Sequence, residues 1–270
     1  MEYLHHLTVL CSSCLKGHIV LSNYVSADLI CPVCQFRYPI TNRILDMIPS
    51  SPSPKKIIQS LMESKYLVQV YDSLFWRHSP FTMALLQITS EREFGTFYHA
   101  LTFSRQQRVI LDIACGTGIY TRKLAQKMTA STVFGLDISM HMLNYASAKI
   151  QENGLANVNL IRCDAKTLPF NEEYFDGVIC SGALHLFSDP QQVLMQIHRV
   201  LKVRGRFVFA TFYKPSGFFF NYLARFSTKF LGLTPFGIET LKRLLKNSNF
   251  TDMKIHHKKG LWIIASVMKT

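Results

Sequence analysis

At 270 residues the chain is long for one minimal domain and short for two full ones, so one core with an appendage is expected. Hydrophobic residues make up 48% and charged ones 17%, which argues against disorder, and no apolar run reaches the roughly eighteen residues a membrane span needs. The net charge of +13 is unevenly held: residues 1–198 carry sixteen Lys/Arg against fifteen Asp/Glu, and residues 199–270 carry fourteen against Glu239 and Asp252. A one-sided field of this kind attracts polyanions such as RNA or an anionic membrane surface, or else solubilises a hydrophobic domain. The opening MEYLHHLTVL has no basic start followed by an apolar stretch, and the seven cysteines are an odd number; both favour a reducing, cytoplasmic setting.

Cys11 with Cys14, and Cys31 with Cys34, each place two thiolates a knuckle turn apart, and the sixteen residues between the pairs suit a hairpin that brings them together. Four thiolates in tetrahedral array suit a structural Zn2+, and a module this small has too little core to fold without such a tie. Disulfides or unmetallated thiols are the alternatives. The segment continues through FRYPI and ILDMIP, and it resembles the small zinc-binding domain that occurs as a free-standing methyltransferase activator and fused ahead of some methyltransferases. The SSPSP run that follows reads as a linker. The expected organisation is a zinc ribbon over residues 1–48, a linker and helical cap over 49–104, and a core over 105–270 with a lid at about 214–236.

From residue 105 short apolar runs alternate with helical patterns. Residues 108–113 read as a strand ending in glycines, and 119–128 as a helix with Ile119, Leu124 and Met128 on one face. Strands follow at 132–136, 158–161, 175–179 and 206–210, with Ser139 suited to cap the helix after the first of these and a further helix at 191–201. Residues 237–250 read as a helix, and 252–257 with 261–267 as a closing antiparallel pair. The alternation predicts an α/β fold, a parallel sheet with helices on both faces.

The loop DIACGTG, residues 112–118, follows the first strand directly, and its glycines allow a sharp turn with no side chain between backbone and ligand. Asp137, twenty-five residues beyond Asp112 at the end of the second strand, is the expected partner of a ribose diol. Phosphate binding fits less well, since the loop lacks the Lys-Ser/Thr of a P-loop and Arg122 stands near the third glycine's place.

VILDIACGTGIYTRKLA, FGLDISMHMLNYA, IRCDAKTLPFNEEYFDGVICSGALHLFSDP and LKVRGRFVF resemble, in order, the motifs of class I S-adenosylmethionine-dependent methyltransferases, most closely the branch of the ubiquinone/menaquinone-biosynthesis enzymes. The resemblance implies a seven-stranded Rossmann-like sheet and S-adenosyl-L-methionine as cofactor. It implies that Gly116 and Gly118, with Ala114 and Cys115, pass under the methionine part, with Asp112 facing its amino group. Asp137 would accept the ribose hydroxyls, and Ile138 and Met142 would lie against the adenine. Asp164 would accept from the adenine amino group beside Cys163 and Ala165, and Ser181 and Gly182 would line the methionine end. Each carboxylate could instead cap a helix or satisfy loop amides. Val203-Arg204-Gly205 departs from the family's usual proline-glycine turn.

Methyl transfer from a sulfonium needs alignment, exclusion of water and, for some acceptors, removal of a proton. His185, just after the fourth strand, is the candidate catalytic base; packing or helix capping is the alternative. Tyr66, Tyr71 and His78 on the pre-core helix could also close over the pocket, whereas Cys115, Cys163 and Cys180 read as small buried hydrophobes. Residues 207–236 hold nine phenylalanines, and Phe219, Tyr222, Leu223, Phe226 and Phe230 fall at helical spacing, as in a greasy lid, a helix lying on an anionic membrane, or core packing. The expected function is methyl transfer to a lipophilic or aromatic small molecule. The alternatives are an RNA base methyltransferase similar to the ribosomal RNA guanine-N1 enzymes, which also carry a zinc ribbon, and a non-catalytic cofactor-binding partner subunit.

Overall fold

The structure, a computed structural model, describes residues 8–21, 28–48, 86–101, 108–215 and 235–270. Five core strands run parallel: β7 (Val109–Ile113), β8 (Thr132–Asp137), β9 (Val158–Arg162), β10 (Phe175–Ser181) and β11 (Leu201–Phe212). The antiparallel pair β12 (Phe250–Lys259) and β13 (Trp262–Lys269) completes the seven strands, with β13 against β11 and β12 at the sheet edge.

The sheet grows beyond those seven at its other end. The N-terminal segment forms two small antiparallel pairs, β1 (Thr8–Leu10) with β2 (His18–Val20) and β3 (Leu29–Ile30) with β4 (Arg37–Tyr38). It then leaves the ribbon as β5 (Ile40–Thr41) and β6 (Ile44–Asp46). β6 pairs parallel with β9, giving a nine-stranded order β12-β13-β11-β10-β7-β8-β9-β6-β5. Arg162 secures the junction: its Nη1 donates to Asp46 Oδ2 at 2.8 Å, and its Nε donates to the Ile138 carbonyl at 3.0 Å.

Helices α1 (Ser90–Ala100), α2 (Ile119–Lys127) and α3 (Met140–Glu152) and helices α4 (Pro190–Val200) and α5 (Ile238–Asn247) cover opposite faces. The period-2 alternation of a strand divides neighbours between them. Ile110, Val133, Ile179 and Val208 meet α1 and α2, while Leu111, Phe134, Val178 and Phe207 meet α4 and α5. Strands buried on both sides need apolar residues throughout, which is why these runs hardly alternate in polarity. The ribbon supplies part of the second face: Val9, Ile19 and Leu21 join Leu168 and Phe170 in the same core, and the Leu10 N–H donates to the Pro169 carbonyl at 2.8 Å.

Two local readings need adjusting. The inward face of α2 is Tyr120, Thr121, Leu124 and Ala125, with Ile119 and Met128 only half-buried, because Tyr120 stacks on Phe94 and Phe97 of α1 at 5.9 and 5.4 Å. The last helix ends at Asn247, so that Phe250 already opens β12. Ser139 does cap α3, its hydroxyl accepting from the Met142 N–H. Among the described residues no helix is long and apolar enough to cross a membrane.

Candidate active site

β7 lies between β8 and β10, so the chain's crossovers leave it in opposite directions and open a crevice beyond the strands' carboxyl ends. The loop there is wound tightly: Ala114, Gly116 and Gly118 have φ of 53°, 56° and 74°. The Cys115 N–H donates to Leu136 and the Gly118 N–H to Cys115, both at 2.9 Å. The two glycines differ in their surroundings. A Cβ on Gly118 would stand 3.0 Å from that of Ala146 on α3, whereas one on Gly116 would meet nothing within 4 Å. Gly118 is shaped by packing, and Gly116 faces open space of the kind a ligand fills.

Asp137 ends β8 at the lip of this loop. Its Oδ2 accepts from the Gly116 N–H at 2.8 Å and its Oδ1 from the Ser139 N–H at 2.9 Å. The carboxylate is thereby fixed in orientation. Asp112 is 2% exposed, and its Oδ2 accepts from the Thr121 hydroxyl at 2.6 Å. Burial, joined by the Asp137 charge and opposed by the Thr121 hydrogen bond, pushes its carboxyl up to about 7. A ligand carrying positive charge into the crevice is favoured by both groups.

The remaining sequence-derived candidates gather around the same edge. Ile138 is half-buried, and Met142, Cys163 and Ala165 are buried. The Cys163 N–H donates to the Asp137 carbonyl at 3.1 Å. Asp164 is engaged locally: Oδ1 accepts from the Lys166 N–H at 2.9 Å and Oδ2 lies 3.4 Å from Lys166 Nζ. The Gly182 N–H is committed to the Ala210 carbonyl at 2.9 Å. Desolvation pushes the Cys115, Cys163 and Cys180 thiols well above their usual range; Cys163 and Cys180 are buried packing groups, whereas Cys115, expected to be buried, is only half-buried in the loop.

Ser181, at the end of β10, donates to Oε1 of Glu93 at 2.8 Å. Glu93 comes from α1 and is 2% exposed. Sequence inspection misses it, because nothing near it in the chain marks it off from an ordinary helical glutamate.

His185 is buried in a short 3-10 turn, Leu184–Leu186. Its Nδ1 lies 3.1 Å from Thr211 Oγ1 and accepts from the Phe212 N–H at 3.5 Å, which puts the neutral ring's proton on Nε2. Phe212 meets the ring edge-on at 4.8 Å. Burial lowers its pKa to about 4, so it is neutral at pH 7 and a weak base. Tyr66, Tyr71, His78 and the lid positions 216–234 lie outside the described residues.

Cys11, Cys14, Cys31 and Cys34 converge with their sulfurs within 4.8 Å of one another, Cys11–Cys34 at 3.5 Å and Cys14–Cys31 at 3.7 Å. Four sulfurs placed tetrahedrally at Zn–S distances of about 2.3 Å stand about 3.8 Å apart, so the set fits such an ion. The Cys14 and Cys34 amides donate to Cys11 and Cys31 Sγ at 3.4 and 3.5 Å, and the Tyr38 hydroxyl reaches Cys11 Sγ at 3.0 Å; these contacts stabilise thiolates.

A family model described as Methyltransferase domain matches residues 104–256. Demethylmenaquinone methyltransferase of Geobacillus sp. (strain WCH70) is 36% identical over 122 residues, 45% of this chain and 52% of that protein. The ubiquinone/menaquinone biosynthesis C-methyltransferase UbiE of Blochmanniella pennsylvanica (strain BPEN) is 37% identical over 110 residues, 40% of this chain and 43% of that protein. The chain thus spans about half the length, or less, of the curated relatives it matches. Among solved structures, Haemonchus contortus phosphoethanolamine N-methyltransferase 2 in complex with S-adenosyl-L-methionine superposes with a TM-score of 0.65 at 14% identity, covering 81% of this chain and 61% of that one. At that identity the likeness is one of fold.

Proposed function

The chain belongs to the Methyltransferase domain family, and from that premise we propose that it transfers a methyl group from S-adenosyl-L-methionine to a lipophilic or aromatic small molecule. The observation that carries the cofactor is the pairing of Asp137, clamped by the Gly116 and Ser139 amides, with an open left-handed loop at the sheet's carboxyl edge. In this reading Asp137 holds the ribose diol. Asp112, raised by burial, ionises against the ammonium group, and Gly116 gives the methionine its approach. Ile138 and Met142 pack the adenine. Asp164, Cys163 and Ala165 form its rim, while Ser181, the Gly182 carbonyl, Ala114, Cys115 and Gly118 shape the methionine end. When bound, the cofactor supplies the electrophilic methyl group; the protein aligns the acceptor and keeps water out.

His185 enters as a neutral ring at this edge, presenting Nε2–H as a donor that positions an acceptor oxygen, since its low pKa makes it a poor proton abstractor. A lipophilic acceptor is supported by the quinone-biosynthesis names of the relatives. The four-cysteine cluster holds a structural zinc ion, supported by sulfur spacings that match a thiolate tetrahedron.

The test is incubation with methyl-labelled cofactor and a cell extract, followed by separation of organic, RNA and protein phases. Label in the organic phase, abolished in Asp137→Ala, is expected. Label in RNA would overturn the lipophilic acceptor, and tight cofactor binding without any transfer would favour a partner subunit.

A further inference from the structure

A cleft of about 720 Å³ lies along the sheet's β12 edge, walled on one side by α1. α1 contributes Arg92, Gly95, Thr96, His99 and Ala100, positions that recur at helical spacing on one stripe. β11 contributes Arg206, and β12 contributes Lys254, His256, His257 and Lys259. Seven of the lining side chains are Arg, Lys or His, and none of the described lining residues is acidic. Arg92, Arg206, Lys254 and Lys259 form no ion pair with a carboxylate among the described residues.

This concentration is electrostatically unfavourable as it stands, because like charges gather in a concave surface that focuses their field. The strain shows in His256, lowered by burial and by the charges of Lys254 and Arg206. Two of the histidines are tied down. His256 Nε2 lies 2.8 Å from Ser266 Oγ, and His257 Nε2 donates to the Leu86 carbonyl at 3.2 Å, so the floor of the cleft is ordered around its cations. Lysines on an edge strand also guard against sheet-to-sheet pairing, which accounts for Lys254 and Lys259. It does not account for Arg92 and His99 on a helix, or for Arg206 on an interior strand, converging on the same space.

We propose that this cleft is a binding site for a ligand carrying two or more phosphate groups, held by Arg92, Arg206, Lys254 and Lys259. The volume matches that of small-ligand sites. The cleft gathers cations from the same basic quarter of the chain that carries nearly all the net charge. By strand register it extends from the level of Arg206 and Met268 to that of Lys259, Trp262 and Phe212, the last at the carboxyl end of β11. A ligand anchored there therefore reaches toward the side of the sheet on which the crevice opens. The phosphates could belong to a soluble oligophosphate or to an RNA backbone, and the two sources separate experimentally.

The experiment titrates the full chain with tripolyphosphate and, separately, with a short single-stranded RNA at two salt concentrations. It compares wild type with R92A/K254A/K259A, three exposed positions whose replacement leaves the core untouched. Saturable tripolyphosphate binding that weakens at least tenfold in the variant, while melting temperature and S-adenosyl-L-methionine affinity hold, supports the site. RNA binding whose salt slope falls by about one per lost contact in the variant assigns the source to the backbone. Tripolyphosphate binding without RNA binding assigns it to a soluble ligand. Absence of both at low salt, or equal binding by wild type and variant, overturns the proposal.

Discussion

The ribbon and the crevice are built by opposite means. In the ribbon the four sulfurs are brought together by two local knuckles, whose tips stay open to solvent, with Leu15 72% and Val33 57% exposed. In the crevice the functional groups come from the ends of separate strands, and their positions are inherited from a sheet buried on both faces. With the zinc ion proposed for it, a site of the first kind would depend on its metal for folding, whereas one of the second depends on its neighbours for geometry. The two are joined where β6 annexes itself to β9, where Val9, Ile19 and Leu21 enter the main core, and through hydrogen bonds such as Leu10 to Pro169 and Arg162 to Asp46.

The largest expected effect tests whether that division is real. Cys31→Ser, or a strong chelator, removes a contribution on the order of 10 kcal/mol to ribbon folding. Hydrogen exchange over residues 8–21 and 28–38 should then rise to the unprotected rate while β7 and β8 stay protected. Simultaneous loss in β7 and β8 would show one cooperative unit instead of two.

Next in size is Asp137→Ala, which removes a charged acceptor and leaves the Gly116 and Ser139 amides without their partner. Affinity for S-adenosylhomocysteine should fall roughly a hundredfold by calorimetry, with Asp137→Asn intermediate because it keeps one acceptor oxygen. A near-wild-type Asp137→Ala would remove the central support for the crevice as a nucleoside site.

The Asp112 titration sharpens the electrostatic side. Its folded pKa is raised to about 7, so the stability it contributes to the unliganded chain is present at low pH and lost as pH rises through that value. A cation binding beside it favours the ionised form, so cofactor affinity should weaken about tenfold per unit as pH falls below 7 and level off above it. Calorimetry across that window reads the slope directly, and Asp112→Asn should flatten it.

Smallest in stability, yet most specific, is the pair Gly116→Ala and Gly118→Ala. Both place a Cβ on left-handed backbone, costing about 1 kcal/mol each. Gly118→Ala also presses on Ala146, so it should lower the melting temperature further, whereas Gly116→Ala should leave stability nearer wild type and weaken cofactor binding. Equal effects on binding and stability in both variants would mean that the open space at Gly116 is not part of the site.

Much of the crevice was legible along the chain because its determinants are local. A glycine loop must follow its strand directly, a carboxylate must end the next one, and Ser139, two residues after that carboxylate, caps the helix that follows. The cysteine knuckles are equally local, since each spacing alone turns two thiolates toward one point. Glu93 and Thr121 were not legible. Glu93 reaches Ser181 across 88 residues of chain, and Thr121 reaches Asp112 from the next helix, so each acquires meaning only through packing. His185 shows the same division. Its place after β10 could be read from the order of elements, but its burial against Thr211 and Phe212, and hence its neutrality, depends on how β11 lies beside it.

Spacing and periodicity thus determine the α/β alternation, the knuckles and the turn that opens the crevice, because these arise from interactions a few residues apart. Tertiary structure alone decides that the N-terminal segment lends β5 and β6 to the main sheet, and that its ribbon covers part of one face. It alone gathers Arg92, Arg206 and the β12 cations around one cleft. A strand's partner and a charge's neighbours lie far away in sequence, and no local pattern records which distant segment will meet them.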